Sequence, residues 1–583
     1  EVIERAHETI VGRYFEEAGI GFVEADNPKI QQEVLVTPGR TGGARIGQFV
    51  AIKITHWPTA RFQPQGDIVE VIGNYMAPGM EIDVALRSYD IPHVWPEAVV
   101  KEARKLKPEV EEKDKEHRVD LRHLPFVTID GEDARDFDDA VYCEKNSGRW
   151  KLFSGGWKLY VAIADVSHYV KVGSALDEEA QKRGNSVYFP ERVVPMLPEE
   201  LSNGLCSLNP HVERLCMVCD MMVSAKGEVQ AYQFYPAVML SHARLTYNEV
   251  SAVLGNTRGP EAAKYQDRVG NLLNLHDCYR ALLTARQARG AVDFETTETQ
   301  IICDDNGRID KIVPRVRTEA HRLIEEAMLA ANVCSADFVE QAHRPALYRV
   351  HEGPTPEKQD ILRGYLKAMG VGMSISDDPR PEEFQAIAEA TKDRPDAQQI
   401  HTMLLRSMQQ AIYTPINSGH FGLAFEAYTH FTSPIRRYPD LLVHRVIKAI
   451  LAERRYKLPE LPLPGEAHAK LSKRLAGRVG EPRQRPLQAA GALSLAESQA
   501  WEAAGLHCSA NERRADEASR DVEAWLKCKY MREHLGEEYS GVVSAATSFG
   551  IFVTLDAMYV EGLVHITELG GEYFKFDEAR QEL

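Results

Sequence analysis

Long apolar runs are absent from this sequence of 583 residues. No stretch approaches the roughly 20 apolar residues that a helix needs to cross a bilayer, and no signal peptide is visible. Cysteine is also scarce, with nine residues in the whole chain, which favours a reducing compartment. We therefore expect a cytoplasmic protein without a membrane partner. Because the chain begins with Glu1 and not with Met, we also expect it to be a fragment.

Paired metal-binding cysteines are almost lacking as well. Cys216 and Cys219 form a CxxC pair in "RLCMVCDMMV", but no second CxxC and no matching histidine pair follows. The surrounding residues predict a strand, on which positions three apart face opposite sides. The two sulfur atoms should then diverge, which favours a structural role over a metal site.

Basic residues are too few to balance the acidic ones. The chain has 69 Lys and Arg against 86 Asp and Glu, for a net charge of −17. This balance argues against a generic polyanion binder, because such proteins are usually basic. Any nucleic-acid function must therefore depend on a local basic surface or on a lined channel.

The N-terminal region, residues 1–78, contains five short strand patterns separated by Gly, Pro and Asn. This spacing predicts a small Greek-key β-barrel of the OB type. Phe22, in "GIGFVEAD", is similar to the aromatics on the RNA-facing strand of cold-shock domains, and such rings can stack on bases. The competing interpretation is that Tyr14, Phe15 and Phe22 form the barrel core.

The rest of the chain divides by composition into five further regions, so we expect an α/β mixed multidomain protein. The C-terminal strand pattern resembles an S-one-like OB fold that is truncated, with Phe549, Phe552 and His565 as candidate RNA-binding residues. The predicted regions are a charged linker at 79–119, a large mixed region at 120–455, a variable Pro/Ala-rich segment at 456–498, a helical segment at 499–535 and the partial barrel at 536–583.

The most informative stretch is "TIDGEDARDFDDAVY", residues 128–142, where six acids lie within ten residues and only Arg135 offsets them. Like charges packed so closely repel each other and raise one another's pKa. The acids are Asp130, Glu132, Asp133, Asp136, Asp138 and Asp139.

Three interpretations of this acidic loop compete. A solvated surface loop is the usual one, but two apolar strand-like runs, "LPFVT" and "AVYCE", flank it and hold it on a tight path. An EF-hand calcium loop fails, because no frame places acids and Gly at the required positions. A magnesium site for phosphoryl chemistry remains, since bound cations would relieve the repulsion and activate water.

The spacing of Asp130, Asp136, Phe137, Asp138 and Asp139 is similar to the signature of the RNB family, the RNase II and RNase R exoribonucleases. Five further blocks resemble that family in family order over residues 120–450, which implies an RNB catalytic domain between flanking OB barrels. These blocks are "VAIADVSHYV", "SVYFPERVVPMLPEELSNGLCSLNP", "GAVDFE", "HRLIEEAMLAAN" and "HFTSPIRRYPDLLVHR".

The resemblance implies roles for the acids and for one arginine. Asp130, Asp136 and Asp139 match carboxylates around Mg²⁺, and Asp138 matches the aspartate on which cleavage most depends. Arg436 matches an arginine that engages the scissile phosphate, which suits a guanidinium because it stays charged and can donate two parallel hydrogen bonds. Glu132 and Asp133 are expected to be solvated neighbours, and Arg437 to form an ion pair.

The resemblance also implies contacts with the RNA. Tyr188 and Phe294 match aromatics that clamp the terminal bases, which suits a non-selective enzyme because every base has a π face. One of Glu325 and Glu326 matches a residue near the RNA end, and Glu325 is the preferred candidate. Asp165 is assigned a structural role.

The function implied is a monomeric, processive, magnesium-dependent 3′-to-5′ exoribonuclease. It would act on single-stranded RNA and on RNA with 3′ overhangs, releasing nucleoside 5′-monophosphates. One alternative is a catalytically inactive RNA-binding regulator with the same fold. A second is a hydrolase that acts on DNA, because contacts to the ribose 2′-hydroxyl cannot be located in the sequence.

Overall fold

The computed structural model describes residues 8–59, 61–75, 77–146, 155–293, 298–304, 308–459, 494–571, 573–577 and 581–583. Phe294 and most of the segment 456–498 lie outside these ranges. The strands are β1 Thr9–Glu17, β2 Ile20–Ala25, β3 Val34–Val36, β4 Gln48–His56, β5 Gln65–Asn74, β6 Val119–Asp120, β7 Val127–Asp130, β8 Asp139–Lys145, β9 Trp157–Ala164, β10 Val187–Tyr188, β11 Val193–Val194, β12 Glu213–Val223, β13 Val229–Leu240, β14 Ala243–Thr246, β15 Thr299–Cys303, β16 Ile309–Pro314, β17 Tyr348–Val350, β18 Ile412–Thr414, β19 Gly541–Thr547, β20 Gly550–Leu555 and β21 Glu561–His565.

Helices surround these strands, and two shorter helical turns lie at Glu200–Leu205 and Ile566–Glu568. In the part of the chain that the structure describes, no helix has both the length and the apolar character needed to cross a membrane. The helices are α1 Met80–Ser88, α2 Glu97–Ala103, α3 Glu112–Lys115, α4 Val166–Tyr169, α5 Ala175–Arg183, α6 Tyr247–Gly255, α7 Pro260–Lys264, α8 Val269–Ala288, α9 Glu319–Gln341, α10 Pro356–Ala368, α11 Pro381–Thr391, α12 Ala397–Ser407, α13 Tyr438–Leu451 and α14 Leu495–Arg532.

The predicted N-terminal barrel is confirmed. Its five strands close in the order β1-β2-β3-β5-β4. Tyr14 is buried in the barrel core, as the core interpretation predicted for it. Phe15 and Phe22 are instead half-buried and stack on each other, with ring centres 5.7 Å apart. Their position leaves base stacking by Phe22 as a prediction.

The predicted linker contains three short helices. Helix α1 buries most of its residues between the barrel and α14. Helix α2 inserts Val99 and Ala103 into the main core. The charges on α1 and α2 thus lie on helices whose other faces are packed, whereas α3 buries none of its residues.

A seven-stranded sheet forms the centre of the large region, in the order β14-β7-β8-β9-β12-β13-β6. Most neighbours are antiparallel, but β14 runs parallel to β7 and β6 parallel to β13. Strand β12 is buried along nearly its whole length, which explains its continuous apolar sequence. Helices α8, α9 and α13 pack their apolar residues into the same core.

The prediction that Cys216 and Cys219 lie on a strand is confirmed, since both belong to β12. Cys216 and Cys219 are fully buried. The Cys216 thiol donates to the Ala237 carbonyl oxygen at 3.7 Å, whereas the Cys219 thiol interacts with Cys334 of α9. Within the described ranges, neither belongs to a group of side chains arranged to hold a metal ion.

Helix α14 connects distant parts of the fold. The Ser509 hydroxyl accepts from the Tyr413 amide at 2.9 Å. One turn further, Arg514 donates to the carbonyl oxygen of Asp90 at 3.0 Å. The Ser519 hydroxyl donates to the Tyr188 carbonyl oxygen at 2.9 Å. The polar composition of this helix therefore serves many contacts to main-chain groups.

The C-terminal strands form a three-stranded antiparallel sheet in the order β19-β20-β21. Phe549 and Phe552 contact each other edge to face, with ring centres 6.2 Å apart. His565 is exposed and its Nδ1 lies 2.8 Å from the Thr567 hydroxyl. All three candidate RNA-binding residues are thus at least partly accessible on this sheet.

Candidate active site

The acidic loop joins two adjacent antiparallel strands of the central sheet. Strand β7 ends at Asp130 and β8 begins at Asp139, and the pairing of Val127 with Val141 holds the strands side by side. The loop therefore connects the neighbouring ends of β7 and β8, as the two apolar flanks predicted. This hairpin concentrates the four predicted site aspartates in one place.

One arginine restrains the loop from the neighbouring strand. Arg244, on β14, donates through Nη2 to the main-chain oxygens of Gly131 and Glu132 at 3.0 and 2.5 Å. Its guanidinium also lies 5.5 Å from the centre of the Phe137 ring. Arg244 reaches the loop because β14 pairs in parallel with β7. No motif in the sequence indicated this contact.

One buried hydroxyl restrains the same loop from the other side. Ser207 accepts a hydrogen bond from the Phe137 amide at 2.9 Å and donates to the Arg135 carbonyl oxygen at 2.8 Å. Ser207 is fully buried. The backbone between Arg135 and Phe137 is therefore fixed immediately before Asp138.

Asp138 is the most deeply buried of the candidate aspartates, with 4% of its surface exposed. Its Oδ1 accepts from the Ile435 amide at 2.9 Å. Its Oδ2 lies 3.4 Å from Arg436 Nε and has no hydrogen-bond partner. Burial raises the pKa of Asp138 well above its ordinary value, although the Arg436 charge opposes this. A buried carboxylate oxygen without a hydrogen-bond partner destabilises the folded state unless a bound ligand interacts with it.

The other three aspartates surround this position. Asp130 accepts from the Gly131 amide at 2.7 Å, and Asp136 accepts from the Tyr188 hydroxyl at 3.3 Å. Burial raises the pKa of Asp139 to about 7, and the charge of Asp130 acts in the same direction. Burial also raises the pKa of Asp130, with a further contribution from Asp136. A nearby cation would favour the ionised form of all of them.

A magnesium ion fits the chemistry of these donors. As the side chains stand, no three or more His, Cys, Asp or Glu residues among those described are arranged to hold a metal ion. Mg²⁺ nevertheless needs only one or two carboxylates, because water and substrate phosphate fill its other positions. The Oδ2 of Asp138, which has no hydrogen-bond partner, offers one such ligand, and Asp130 and Asp139 lie at the two ends of the same loop.

Two consecutive arginines have different partners. The Arg436 side chain is 46% exposed, and its Nη2 donates to the Ser433 hydroxyl at 2.9 Å beside Asp138. Arg437 instead donates to the buried Asp440 at 2.9 Å. The predicted ion pair of Arg437 is confirmed, and α13 begins at the next residue, Tyr438. The accessible guanidinium next to the acidic loop is thus that of Arg436.

Tyr188 lies at the mouth of the site. Its side chain is 45% exposed, and its hydroxyl contacts Asp136. The strand pair β10–β11 and the hydrogen bond from Ser519 fix its backbone. The ring is therefore available for stacking, and this role remains a prediction.

The two glutamates of α9 share one arginine. Arg286 donates to Glu325 at 3.1 Å and to Glu326 at 2.6 Å. Glu326 is buried, whereas Glu325 is half-buried and also pairs with Arg317. The greater exposure of Glu325 is compatible with its preferred assignment.

The structure does not bring all predicted residues together. Phe22 lies on the N-terminal barrel, and Phe549, Phe552 and His565 lie on the C-terminal sheet, apart from the acidic loop in the fold. Asp165 is buried and pairs with Arg118 at 2.7 Å and with Lys448 at 2.5 Å, which is compatible with the structural role assigned to it.

One buried and three half-buried aspartates beside an accessible arginine and an exposed aromatic ring, in a chain that also contains an OB barrel, define a class of protein. Such a site is suited to hold a nucleic-acid phosphate next to a divalent metal ion. Two protein-family models match this chain, and both agree with that class. The model described as the RNB domain matches residues 118–453, and the model described as the cold shock domain matches residues 22–96.

Individual relatives match nearly the whole length of the chain. The chain is 48% identical over 574 residues to Ribonuclease R of Escherichia coli K12, covering 98% of this chain and 66% of that protein. It therefore spans slightly less than two thirds of that relative. Mycoplasma genitalium RNase R in complex with ribose methylated single-stranded RNA is 28% identical, with a TM-score of 0.85 over 100% of this chain and 85% of that chain.

A more distant structure shares the fold alone. Yeast Ssd1, described as a pseudonuclease, is 18% identical, with a TM-score of 0.72 over 100% of this chain and 68% of that chain. The chain belongs to the RNB family. The predicted family and the predicted fold class, a mixed α/β domain with an N-terminal OB barrel, are confirmed.

Proposed function

We propose that this chain carries the catalytic part of a hydrolytic exoribonuclease. In this proposal it degrades RNA processively from the 3′ end and releases nucleoside 5′-monophosphates. The observation that supports it most is the geometry at Asp138, whose unpaired buried oxygen lies 3.4 Å from the Nε of an accessible arginine. Relatives named Ribonuclease R provide the substrate class.

Each polar residue has a task in this proposal. Asp130, Asp136, Asp138 and Asp139 would hold Mg²⁺, which when bound activates water and offsets negative charge on the phosphodiester. Arg436 binds the non-bridging oxygens of the scissile phosphate through its exposed guanidinium. Asp138 would hold the ion through its Oδ2, because this buried oxygen has no hydrogen-bond partner among the described residues.

The RNA-binding residues extend from this centre. Tyr188 stacks on one of the last bases, and Glu325 contacts the RNA end from α9. The two terminal β domains gather single-stranded RNA, including 3′ overhangs, through Phe22 on one side and Phe549, Phe552 and His565 on the other. We propose a cytoplasmic monomer, because the site is assembled from one chain.

An inactive RNA-binding regulator remains the alternative, since Ssd1 shows that the fold alone does not establish catalysis. All four aspartates and Arg436 are present here, whereas a family member that has lost its catalytic activity would be expected to lack one of them. A gel of 5′-end-labelled RNA, with and without Mg²⁺, separates the two functions. We expect Mg²⁺-dependent loss of RNA to a short limit product, and DNA of the same sequence to survive. A ladder of internal fragments would contradict exonucleolytic attack.

Replacing Tyr188 should change the final product more than the rate. Tyr188→Ala removes a stacking contact worth about 1–3 kcal/mol and no charge, so the chemical step should survive. A long RNA has many other contacts, but an oligomer of a few nucleotides has few. We expect near-parental decay of long RNA and a limit product that is longer by one or more nucleotides.

Tyr188→Phe is the matched control, because it keeps the ring and loses only the hydroxyl that contacts Asp136. If stacking is the role, the Phe variant gives the parental limit product on a sequencing gel. The assignment is wrong if Tyr188→Ala leaves that product unchanged, or if the Phe variant lengthens it equally.

Removing the restraint on the acidic loop should impair turnover. Arg244→Ala loses the hydrogen bonds to Gly131 and Glu132, so the aspartates should spend less time in the reactive arrangement. Loss of such supporting contacts commonly costs about 10–100-fold in metal affinity or activity. We expect a fall in kcat of that size, a higher Mg²⁺ concentration for half-maximal activity, and little change in RNA affinity.

Arg258→Ala, at an exposed position in the loop before α7, is the control for general loss of positive charge. Parental Mg²⁺ dependence in Arg244→Ala, measured by titrating Mg²⁺ at saturating RNA, would show that Arg244 does not position the metal-binding aspartates.

A further inference from the structure

A cavity that includes no residue of the acidic loop lies where the N-terminal barrel meets helices α1 and α14. It has a volume of about 70 Å³, several times the roughly 10–15 Å³ that one water molecule needs by such a measure. Its wall includes Asp26 and Phe49 of the barrel region, Glu81 and Tyr89 of the α1 region, and Asp521 and Trp525 of α14. Residues from three parts of the fold therefore meet at one site.

The charged side chains in the wall of this cavity are all acidic. Asp26, Glu81 and Asp521 all contribute carboxylates, and the Tyr89 hydroxyl donates to Asp521. Burial and the charge of Asp521 raise the pKa of Asp26. Lys529 is a nearby cation, whose ammonium lies 5.3 Å from the centre of the Trp525 ring and whose charge acts on Glu81. Even so, burial keeps the pKa of Glu81 raised.

Glu81 provides an independent indication of a missing ligand. Only 6% of its surface is exposed, and its Oε2 is buried with no hydrogen-bond partner. A buried carboxylate oxygen in this state is unfavourable, because it has lost its water without gaining a donor. Glu81 lines the cavity, so a hydrogen-bond donor bound in the cavity would give its Oε2 a partner.

The chemistry of the wall favours an organic cation over a metal ion. The carboxylates of Asp26, Glu81 and Asp521 come from three separate parts of the fold and line different portions of the wall. Aromatic rings such as Trp525 and Tyr89 attract ammonium groups through their π faces. A short aliphatic chain with an ammonium group at each end can meet separate carboxylates and cover the apolar surface of Phe49.

We propose that this junction cavity binds a small aliphatic diammonium, with one ammonium group at Glu81 and the other at Asp26 and Asp521. The bound molecule would connect the barrel to α1 and α14 and so stabilise their docking. This site is separate from the acidic loop, and its occupancy does not depend on the proposed nuclease function.

Titration calorimetry and thermal denaturation of the whole chain test the proposal, with 1,4-diaminobutane as the probe and without RNA. We expect one saturable site with a dissociation constant of about 1 mM or tighter and a higher melting temperature at saturation. Glu81→Gln should weaken binding by at least about tenfold, because it removes one partner of a desolvated charge pair. Without ligand, this variant should melt no lower than the parent, since burial disfavours the charge of Glu81.

Glu17→Gln, at an exposed position on the barrel, removes the same charge elsewhere and should bind as the parent does. Asp26→Asn serves as a second cavity variant and should also weaken binding. The proposal is overturned if the parent shows no saturable binding, or if both cavity variants bind like the parent. It is equally overturned if 1-aminobutane or Mg²⁺ alone reproduces the full Glu81-dependent stabilisation.

Discussion

Asp138→Asn should abolish RNA cleavage and leave RNA affinity close to that of the parent. The Asn carbonyl oxygen can still accept from the Ile435 amide, so the loop should keep its conformation. The substitution removes the charge on a carboxylate whose Oδ2 is buried without a hydrogen-bond partner and lies 3.4 Å from Arg436 Nε. Loss of metal binding or water activation commonly raises a barrier by several kcal/mol. Single-turnover cleavage and filter binding with the same labelled RNA measure the two quantities.

Asp133→Asn is the matched control for Asp138→Asn. Asp133 lies in the same loop but is exposed, and it was expected to be a solvated neighbour. Its substitution should leave the cleavage rate near the parental value. If Asp138→Asn keeps more than a few per cent of activity at saturating Mg²⁺, the role given to Asp138 is wrong.

Arg436→Lys should produce the second large loss, although the charge is kept. Lysine cannot donate two parallel hydrogen bonds to a phosphate, nor can it keep the guanidinium geometry between Ser433 and Asp138. Loss of one positioned donor to a transition state typically costs about 10²–10³-fold in kcat. We expect a fall of that size in the single-turnover rate, with binding of long RNA almost unchanged.

Arg135→Lys, an exposed position in the acidic loop, is the control for this substitution and should retain activity. Equal losses in Arg135→Lys and Arg436→Lys would indicate a general electrostatic effect. Retention of parental turnover by Arg436→Lys would show that a point charge suffices and that bidentate binding plays no part.

Local sequence patterns were sufficient to predict the position of the acidic loop. Two short apolar runs on either side of the acids predicted paired strands, and β7 and β8 are such strands. The family resemblance, and not the strand pattern, separated Arg436 from Arg437, and the structure pairs Arg437 with Asp440. The strands that flank the acidic loop are close in sequence, so local spacing carries that information.

Contacts across long sequence separations could not be predicted in this way. Arg244 follows the acidic loop by more than 100 residues and reaches it only because β14 lies next to β7. The burial of Glu81 has a similar origin, since α1 lies in a charged region that composition assigns to a linker and becomes buried only by packing on α14. The choice between Tyr14 and Phe22 as core residues likewise depended on how the barrel closes.

The central claim, hydrolysis from the 3′ end, is tested most directly by mass spectrometry of the products formed in ¹⁸O-labelled water. A single-stranded RNA is incubated with the chain and Mg²⁺, and Asp138→Asn serves as the blank. The proposal predicts nucleoside 5′-monophosphates that carry one ¹⁸O atom on the phosphate, with a short 5′-terminal oligomer left over. Nucleoside diphosphates, 3′-phosphates, internal fragments or intact RNA would contradict it.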